Sequence, residues 1–373
     1  MMLSVLEAAR GAGWEALVGM PGDGPLFRRI EQIGFETTRL RCGPFSVGTK
    51  SISDAIRFAV QLPRLVAQIR TLARRFGPDL LYINGPRLLP AAAVARLPIP
   101  ALFHAHNYLP PGMSRRIAGY SIRELNAAVI GCCRFVAEPW TAFVPAERVT
   151  VIFNGVSGPG IATNRPNSAS PRIGCIGRIS PEKGQIEFLR AAALIHQGLP
   201  HSRFAIYGAP MFSPSAKEYA NRVRAAVRNL PVEFPGWVDP GTAFSDLDLL
   251  LVPSAGNEGT TRVVLEAFAA GVPVVAFPGG GIPEVIEDGT GFLAANAEAM
   301  AERAIALLRG DRAVLNAVSR AARESWRRQF TLQRFQEKIL RAIENAANGA
   351  PISARSNPAE ASANSAAPPI TTP

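Results

Sequence analysis

Two carboxylates, Glu258 and Glu266, lie eight positions apart in residues 254–293, with Gly259, Thr260 and Thr261 just after the first. The preceding run 247–253 reads as a buried strand, and Thr260 or Thr261 can cap a helix that carries Val264, Leu265 and Phe268 on its apolar face. Strand, glycine-bearing loop and helix start make a cradle for phosphate. Free amides and the positive end of the helix attract an anion, and Gly259 lets it approach the backbone. On such a frame one carboxylate can face a sugar while the other reaches a ribose hydroxyl. Upstream, residues 172–182 read as a strand running into a loop, followed by Lys183, Gly184 and a helix from about Gln185. Arg178 and Lys183 then project from the carboxyl end of a parallel strand, where open α/β sheets bind ligands. Two fixed cations beside a helix amino terminus suit a diphosphate, the guanidinium gripping two oxygens and the ammonium acting as a point charge.

These groups need sheets to hold them. Apolar, strand-like runs at 15–20, 79–83, 101–106, 127–131 and 148–153 alternate with amphipathic segments, which predicts a parallel sheet with crossover helices. The alternation restarts at 172–176, 203–207, 247–253, 272–276 and 291–293, so the fold class is α/β with two such units in tandem. The expected organisation is a first domain over 1–157 and a linker rich in Gly, Pro, Ser and Asn over 158–171. A second domain over 172–330, a closing amphipathic helix over 331–348 and a tail over 349–373 follow. The tail has no periodic apolar face and is expected to be disordered.

The strings G-R-I-S-P-E-K-G (177–184), N-E-G-T-T-R-V-V-L-E-A (257–267), G-G-G-I-P-E-V-I (279–286) and D-G-T-G-F-L (288–293), in that order, resemble the group 1, or family 4, retaining glycosyltransferases of the GT-B fold. The resemblance runs over nearly everything except the tail. It implies two facing Rossmann-like domains, the first holding the acceptor and the second a nucleotide sugar, with the last helix crossing back to the first domain. By resemblance, Glu258 touches the transferred sugar near its reacting face and Glu266 the ribose. Arg178 and Lys183 neutralise the leaving diphosphate, helped by the amides of Gly259, Thr260 and Thr261. Gly236, Trp237 and Val238 resemble the segment lining the nucleobase pocket. In residues 101–107 the family's active-site histidine aligns with His106, His104 being the competing choice, for hydrogen bonding near the donor sugar or acceptor hydroxyl and for general-base work. The pair Thr260–Thr261 departs from the family's usual aromatic or small residue followed by Gly. The family also opens with a strand and a Gly-Gly loop, whereas this chain begins at what reads as the following helix, so the first strand is expected to be missing.

Composition bounds what remains. The 47% hydrophobic and 18% charged residues describe a folded chain, and neither 91–103 nor 267–277 is long enough to cross a bilayer. With no secretion signal at the start, a cytosolic protein is expected. Residues 1–157 hold 18 basic against 10 acidic residues, most of the net +11. This asymmetry suggests an anionic partner for that half or simply an Arg-rich composition, and Arg57, Arg64 and Arg75 share one side of a helix within 53–76 that reads first as a solvated basic face and alternatively as one that meets anionic headgroups on the inner face of a membrane. There is no RNA-binding aromatic signature, so nucleic acid is not expected. Four cysteines, two of them adjacent at Cys132 and Cys133, read as buried thiols. Asp246-Leu247-Asp248 spells the D-x-D of metal-dependent glycosyltransferases but abuts a buried strand, so neither metal nor cofactor is expected beyond the donor, a nucleoside diphosphate sugar. The expected activity is transfer of that sugar to an acceptor hydroxyl. A non-catalytic sugar-nucleotide-binding remnant and a GT-B epimerase are the alternatives.

Overall fold

Short runs of Leu, Val, Ile and Ala, apolar on both faces, form parallel strands covered by helices on either side. The computed structural model describes residues 1–22, 24–43, 52–158, 170–211, 214–256, 258–259 and 261–352. Thr260, most of the expected linker and residues 353–373 lie outside them. The first unit carries β1 (Leu17–Pro21), β2 (Glu36–Leu40), β3 (Leu81–Asn84), β4 (Ala101–Ala105), β5 (Ala128–Gly131) and β6 (Val149–Val151). The second carries β7 (Arg172–Ile176), β8 (Arg203–Tyr207), β9 (Val232–Gly236), β10 (Leu249–Val252), β11 (Val274–Ala276) and β12 (Phe292–Leu293). The second sheet runs β12-β11-β10-β7-β8-β9, with every pairing parallel. Strand order reverses between β7 and β10, which are neighbours in the sheet, and that switch point opens a crevice at the carboxyl edge.

The first sheet is in two pieces, a β1-β2 pair and a four-stranded β3-β4-β5-β6 sheet. Between them lies a cavity of about 1130 Å³ lined by Leu17 and Gly19 from β1, Leu81 and Ile83 from β3, and Val5 and Leu6 from the Met2–Gly11 helix. Alternation along β4 separates its two faces. Phe103 packs with Leu89, Ala118 and Ile122 of the helices Leu89–Ala95 and Met113–Glu124. Leu102 packs on the other side with Phe335 and Ile339 of Leu332–Ala347 and with Val5. The last helix therefore lies on the first unit, bonded to it by Gln336 Nε2 donating to Ser4 O at 3.2 Å.

One expectation changes. The segment from residue 349 does not leave the fold at once. Ala350 N donates to Asn345 O at 2.8 Å, and Ile352, 4% exposed, is buried against the first unit. An apolar side chain within reach of an apolar surface overrides the polar composition around it. Pro63 lies inside the helix Ile52–Phe76.

Candidate active site

The loop after β7 is held from beneath by Gln185, which is fully buried. Its Nε2 donates to Arg178 O at 2.8 Å and its Oε1 accepts from Ser180 N at 3.3 Å, so one side chain fixes the backbone of the cationic loop. Gly184 has φ +70°, and a Cβ there would lie 2.0 Å from Pro253 O, the residue after β10. Only glycine brings the two loops of the switch point this close. The result is an ion pair: Lys183 Nζ stands 2.6 Å from Glu258 Oε1, both side chains more than four-fifths shielded. Arg178 is more open and reaches Glu182 at 3.4 Å.

The helix Arg262–Ala270 begins beside that pair with Thr261 as its N-cap. Thr261 is 4% exposed, yet its hydroxyl makes no capping bond and has no partner among the described residues. A buried hydroxyl without a partner, next to the free amides of a helix start, is poised for an anion's oxygens. Glu266 lies one turn further on, its carboxylate 3.4 Å from Arg262. Burial raises its pKa, and Arg262 opposes the shift.

The first unit supplies the opposite wall. His106 follows β4, and its Nε2 lies 2.5 Å from Asn84 Oδ1 at the end of β3. Because the amide oxygen can only accept, Nε2 carries the proton and Nδ1 keeps the lone pair. Fully buried His104 lies 4.0 Å away ring to ring, tilted by 36°, its Nδ1 2.5 Å from the Tyr82 hydroxyl. His104 is thus enclosed within the first unit, whereas His106 stays partly open. A Cβ on Gly259 would lie 2.7 Å from His106 O and 3.0 Å from Cys132 Sγ, so the Glu258–Gly259 loop rests directly on the end of β4.

Glu284, which the sequence reading did not single out, ties the units together. Its carboxylate accepts from Arg134 N at 2.6 Å and Phe135 N at 2.7 Å. The signal was present in G-G-G-I-P-E, but nothing in one chain's spacing says that a carboxylate will bond amides 149 and 150 residues away. The structure thus gathers Lys183, Glu258, Gly259 and His106 at one place, with Thr261 and Glu266 on the helix that starts there. Trp237 stands apart at the end of β9, 68% exposed, after Gly236 at φ +81°, while Val238 packs into the core. The D-x-D carboxylates are engaged with Arg172: Asp248 accepts from its amide at 2.8 Å and Asp246 lies 3.5 Å from its Nε.

Burial, then the nearby amino terminus, push the His106 pKa down to about 4, and burial also pushes His104 well below its ordinary value. The unfolded chain takes up these protons near pH 6.5 and the folded chain does not, so stability is full above pH 6.5 and declines as pH falls towards 4. For His106 alone the loss approaches about 3 kcal/mol at the acid end. Thermal melts over that window are expected to show a steep acid slope that His106→Gln flattens. Equal slopes in both proteins would show that the imidazole is not held neutral.

The fold and this crevice define a class: two Rossmann-like units facing one another, with a helix start at the switch point. A family model described as "Glycosyl transferases group 1" matches residues 170–310, and one described as "Glycosyl transferase 4-like domain" matches residues 1–155. The chain belongs to this family, the group 1 (family 4) glycosyltransferases. It is 25% identical over 265 residues to sulfoquinovosyl transferase SQD2 of Arabidopsis thaliana, covering 62% of this chain and 49% of that one. It is 27% identical over 286 residues to phosphatidyl-myo-inositol mannosyltransferase of Mycobacterium leprae, covering 72% and 74%. The chain spans about half the length of several of the curated relatives it matches. The GT-B fold is shared with the crystal structure of Anabaena Alr3699/HepE in complex with UDP and glucose, at TM-score 0.75 and 24% identity over 92% of this chain and 95% of that one.

Proposed function

We propose that this protein transfers a sugar from a nucleoside diphosphate sugar to an acceptor hydroxyl with retention of anomeric configuration, in the synthesis of a glycolipid or other glycoconjugate. The observation that carries this reading is the Lys183–Glu258 pair, set by the two strands that flank the switch point and placed beside the buried, unbonded hydroxyl of Thr261. Lys183, Arg178 and the helix tip meet the donor diphosphate and stabilise the charge that grows on its oxygen as the bond to the sugar breaks. Glu258 then exchanges its ammonium partner for sugar hydroxyls and orients the ring. Glu266 lies where a ribose would follow, and the exposed indole of Trp237 offers a face for the base. His106, neutral and held by Asn84, keeps Nδ1 as an acceptor towards a donor or acceptor hydroxyl. Retention is carried by family membership. The Mycobacterium leprae relative is named for mannose transfer to phosphatidyl-myo-inositol, and a lipid-linked hydroxyl is the acceptor class that the basic first unit favours.

Calorimetric titration with UDP-glucose and GDP-mannose tests the reading. Saturable binding of at least one is expected, weakened about tenfold or more in Lys183→Ala, since a charge-assisted contact contributes roughly 1.5–3 kcal/mol. No binding of either, or binding indifferent to both Lys183→Ala and Arg178→Ala, would remove the donor site. Free nucleotide as product marks transfer, an isomerised donor marks an epimerase, and binding without turnover marks a binding protein.

A further inference from the structure

Glu284 reaches out of its own unit. It ends the one-turn helix Ile282–Glu284, just after the three glycines 279–281, and among the described residues its carboxylate has hydrogen-bond partners only in the first unit, the amides of Arg134 and Phe135. Each oxygen takes one of them, Oε2 from Arg134 N at 2.6 Å and Oε1 from Phe135 N at 2.7 Å, and bonds to a charged acceptor are the strong ones. Those amides stand on a fixed base. Arg134 opens the short helix Arg134–Ala137 just after β5, and the next two amides, of Val136 and Ala137, turn back to Cys133 O at 3.2 and 3.0 Å. Arg134 N and Phe135 N are the orphan donors of that start, and Glu284 satisfies both. Cys132 N is bonded at 3.1 Å to Ala105 O, at the end of β4, and a Cβ on Gly131 would lie 2.5 Å from Ala137 Cβ. The two amides are thus tied to the strand ends that also carry His106.

On the other side the tie runs to the loop that carries Glu258. Glu284 N donates to Gly281 O at 3.2 Å, and Gly281 N donates to Glu258 O at 3.0 Å. The glycines between them are tightly enclosed: a Cβ on Gly280 would lie 2.0 Å from Glu258 O, and one on Gly281 would lie 2.5 Å from Cys133 Sγ and 3.2 Å from Gly259 O. A continuous path of contacts therefore joins the amides of Arg134 and Phe135 to the backbone of Glu258. The cationic loop after β7 lies outside this path and is braced separately by Gln185. We propose that Glu284 is a positioning residue for the transfer reaction: by holding the amides of Arg134 and Phe135 it sets the Gly281 turn against Glu258 O, so that Glu258 takes its working position only when the two units meet. The inference rests on the transfer reading, in which Glu258 orients the sugar. Glu284 then governs the sugar and not the nucleotide.

Glu284→Gln keeps the size of the side chain, but its amide oxygen accepts from one N–H while its NH2 group is turned against the other. Glu284→Ala removes both bonds. Turnover of UDP-glucose or GDP-mannose, read as nucleotide release, is expected to fall about tenfold in the first and about a hundredfold in the second, with calorimetric affinity for UDP or GDP within about twofold of the unaltered protein. A general loosening of the two units would lower turnover and affinity together, and that result would overturn the proposal. So would turnover equal to that of the unaltered protein. In a Glu258→Gln background, Glu284→Gln should lower turnover little further, because its effect passes through Glu258; a second full tenfold loss there would show that it acts by another route. Hydrogen exchange reads the same path without turnover: the amide of Gly281 should exchange about tenfold faster in Glu284→Gln, together with those of Arg134 and Phe135, at a melting temperature close to the original. Unchanged exchange at Gly281 in that variant would sink the idea even if Glu284→Ala failed to fold. Should the unaltered protein neither bind nor turn over a nucleotide sugar, the transfer reading fails by itself, and exchange at Gly281 still decides whether Glu284 sets the loop.

Discussion

Replacing Glu258 by glutamine is expected to lower sugar transfer about a hundredfold or more while leaving the affinity for the free nucleoside diphosphate unchanged or raised. The two effects separate because Glu258 and Lys183 neutralise one another at 2.6 Å before any donor arrives. Glutamine keeps the shape but releases Lys183, whose ammonium then meets diphosphate without first losing an ion pair. The cost falls on the sugar, which loses a charged acceptor that holds its hydroxyls, and a misplaced reacting centre slows chemistry more than binding. Lys183→Ala should give the opposite signature, weak nucleotide binding and a shielded carboxylate left without its cation. Turnover by nucleotide release and affinity by calorimetry measure both variants. Parallel loss of affinity and turnover in Glu258→Gln would place the carboxylate on the nucleotide and not on the sugar.

How much of this was legible in the chain follows from where each signal resides. β4, β5 and β10 carry apolar residues on both faces, and such runs announce themselves. β2, with the sequence E-T-T-R-L, and β9, with V-E-F-P-G, do not: each lies at a sheet edge, half in solvent, and β9 contains Pro235. The sequence reading passed over both. Lys183 and Glu258 were legible as groups at strand ends, since a parallel sheet delivers its strand ends to one edge. Their contact with each other was not, because it depends on Gly184 passing under Pro253 O, a distance no spacing encodes. Asn84 and Glu284 escaped for a related reason. Each acts through a partner remote in sequence, an imidazole 22 residues away for Asn84 and amides 149 and 150 residues away for Glu284. Local periodicity reports what a residue does for its own element, and these two act for another. His104 and His106 stand within the same run, and their different surroundings, full burial against Tyr82 for one and partial exposure beside Asn84 for the other, are not encoded in its spacing.

Gly280→Ala is expected to damage catalysis as severely as changing Glu258 itself, although residue 280 presents no chemistry. Its φ is +58°, and a Cβ would lie 2.0 Å from Glu258 O and 3.0 Å from Glu258 N. A backbone carbonyl cannot swing aside as a flexible side chain would, so the methyl must displace the loop that carries Glu258. The neighbouring bond from Gly281 N to Glu258 O at 3.0 Å would be strained by the same movement. Part of the cost is the left-handed conformation alone, about 1 kcal/mol for alanine. Gly289→Ala isolates that part: its φ is +81°, but nothing lies within 4 Å of the added Cβ. Gly289→Ala should therefore melt slightly lower and keep full turnover, whereas Gly280→Ala should lose several degrees and about a hundredfold in transfer, with nucleotide binding through Lys183 better preserved than turnover. Thermal melts and donor turnover on the two variants decide the matter. If Gly280→Ala turned over as fast as Gly289→Ala, the Glu258 loop would tolerate displacement, and its fixed position against His106 could not be what orients the sugar.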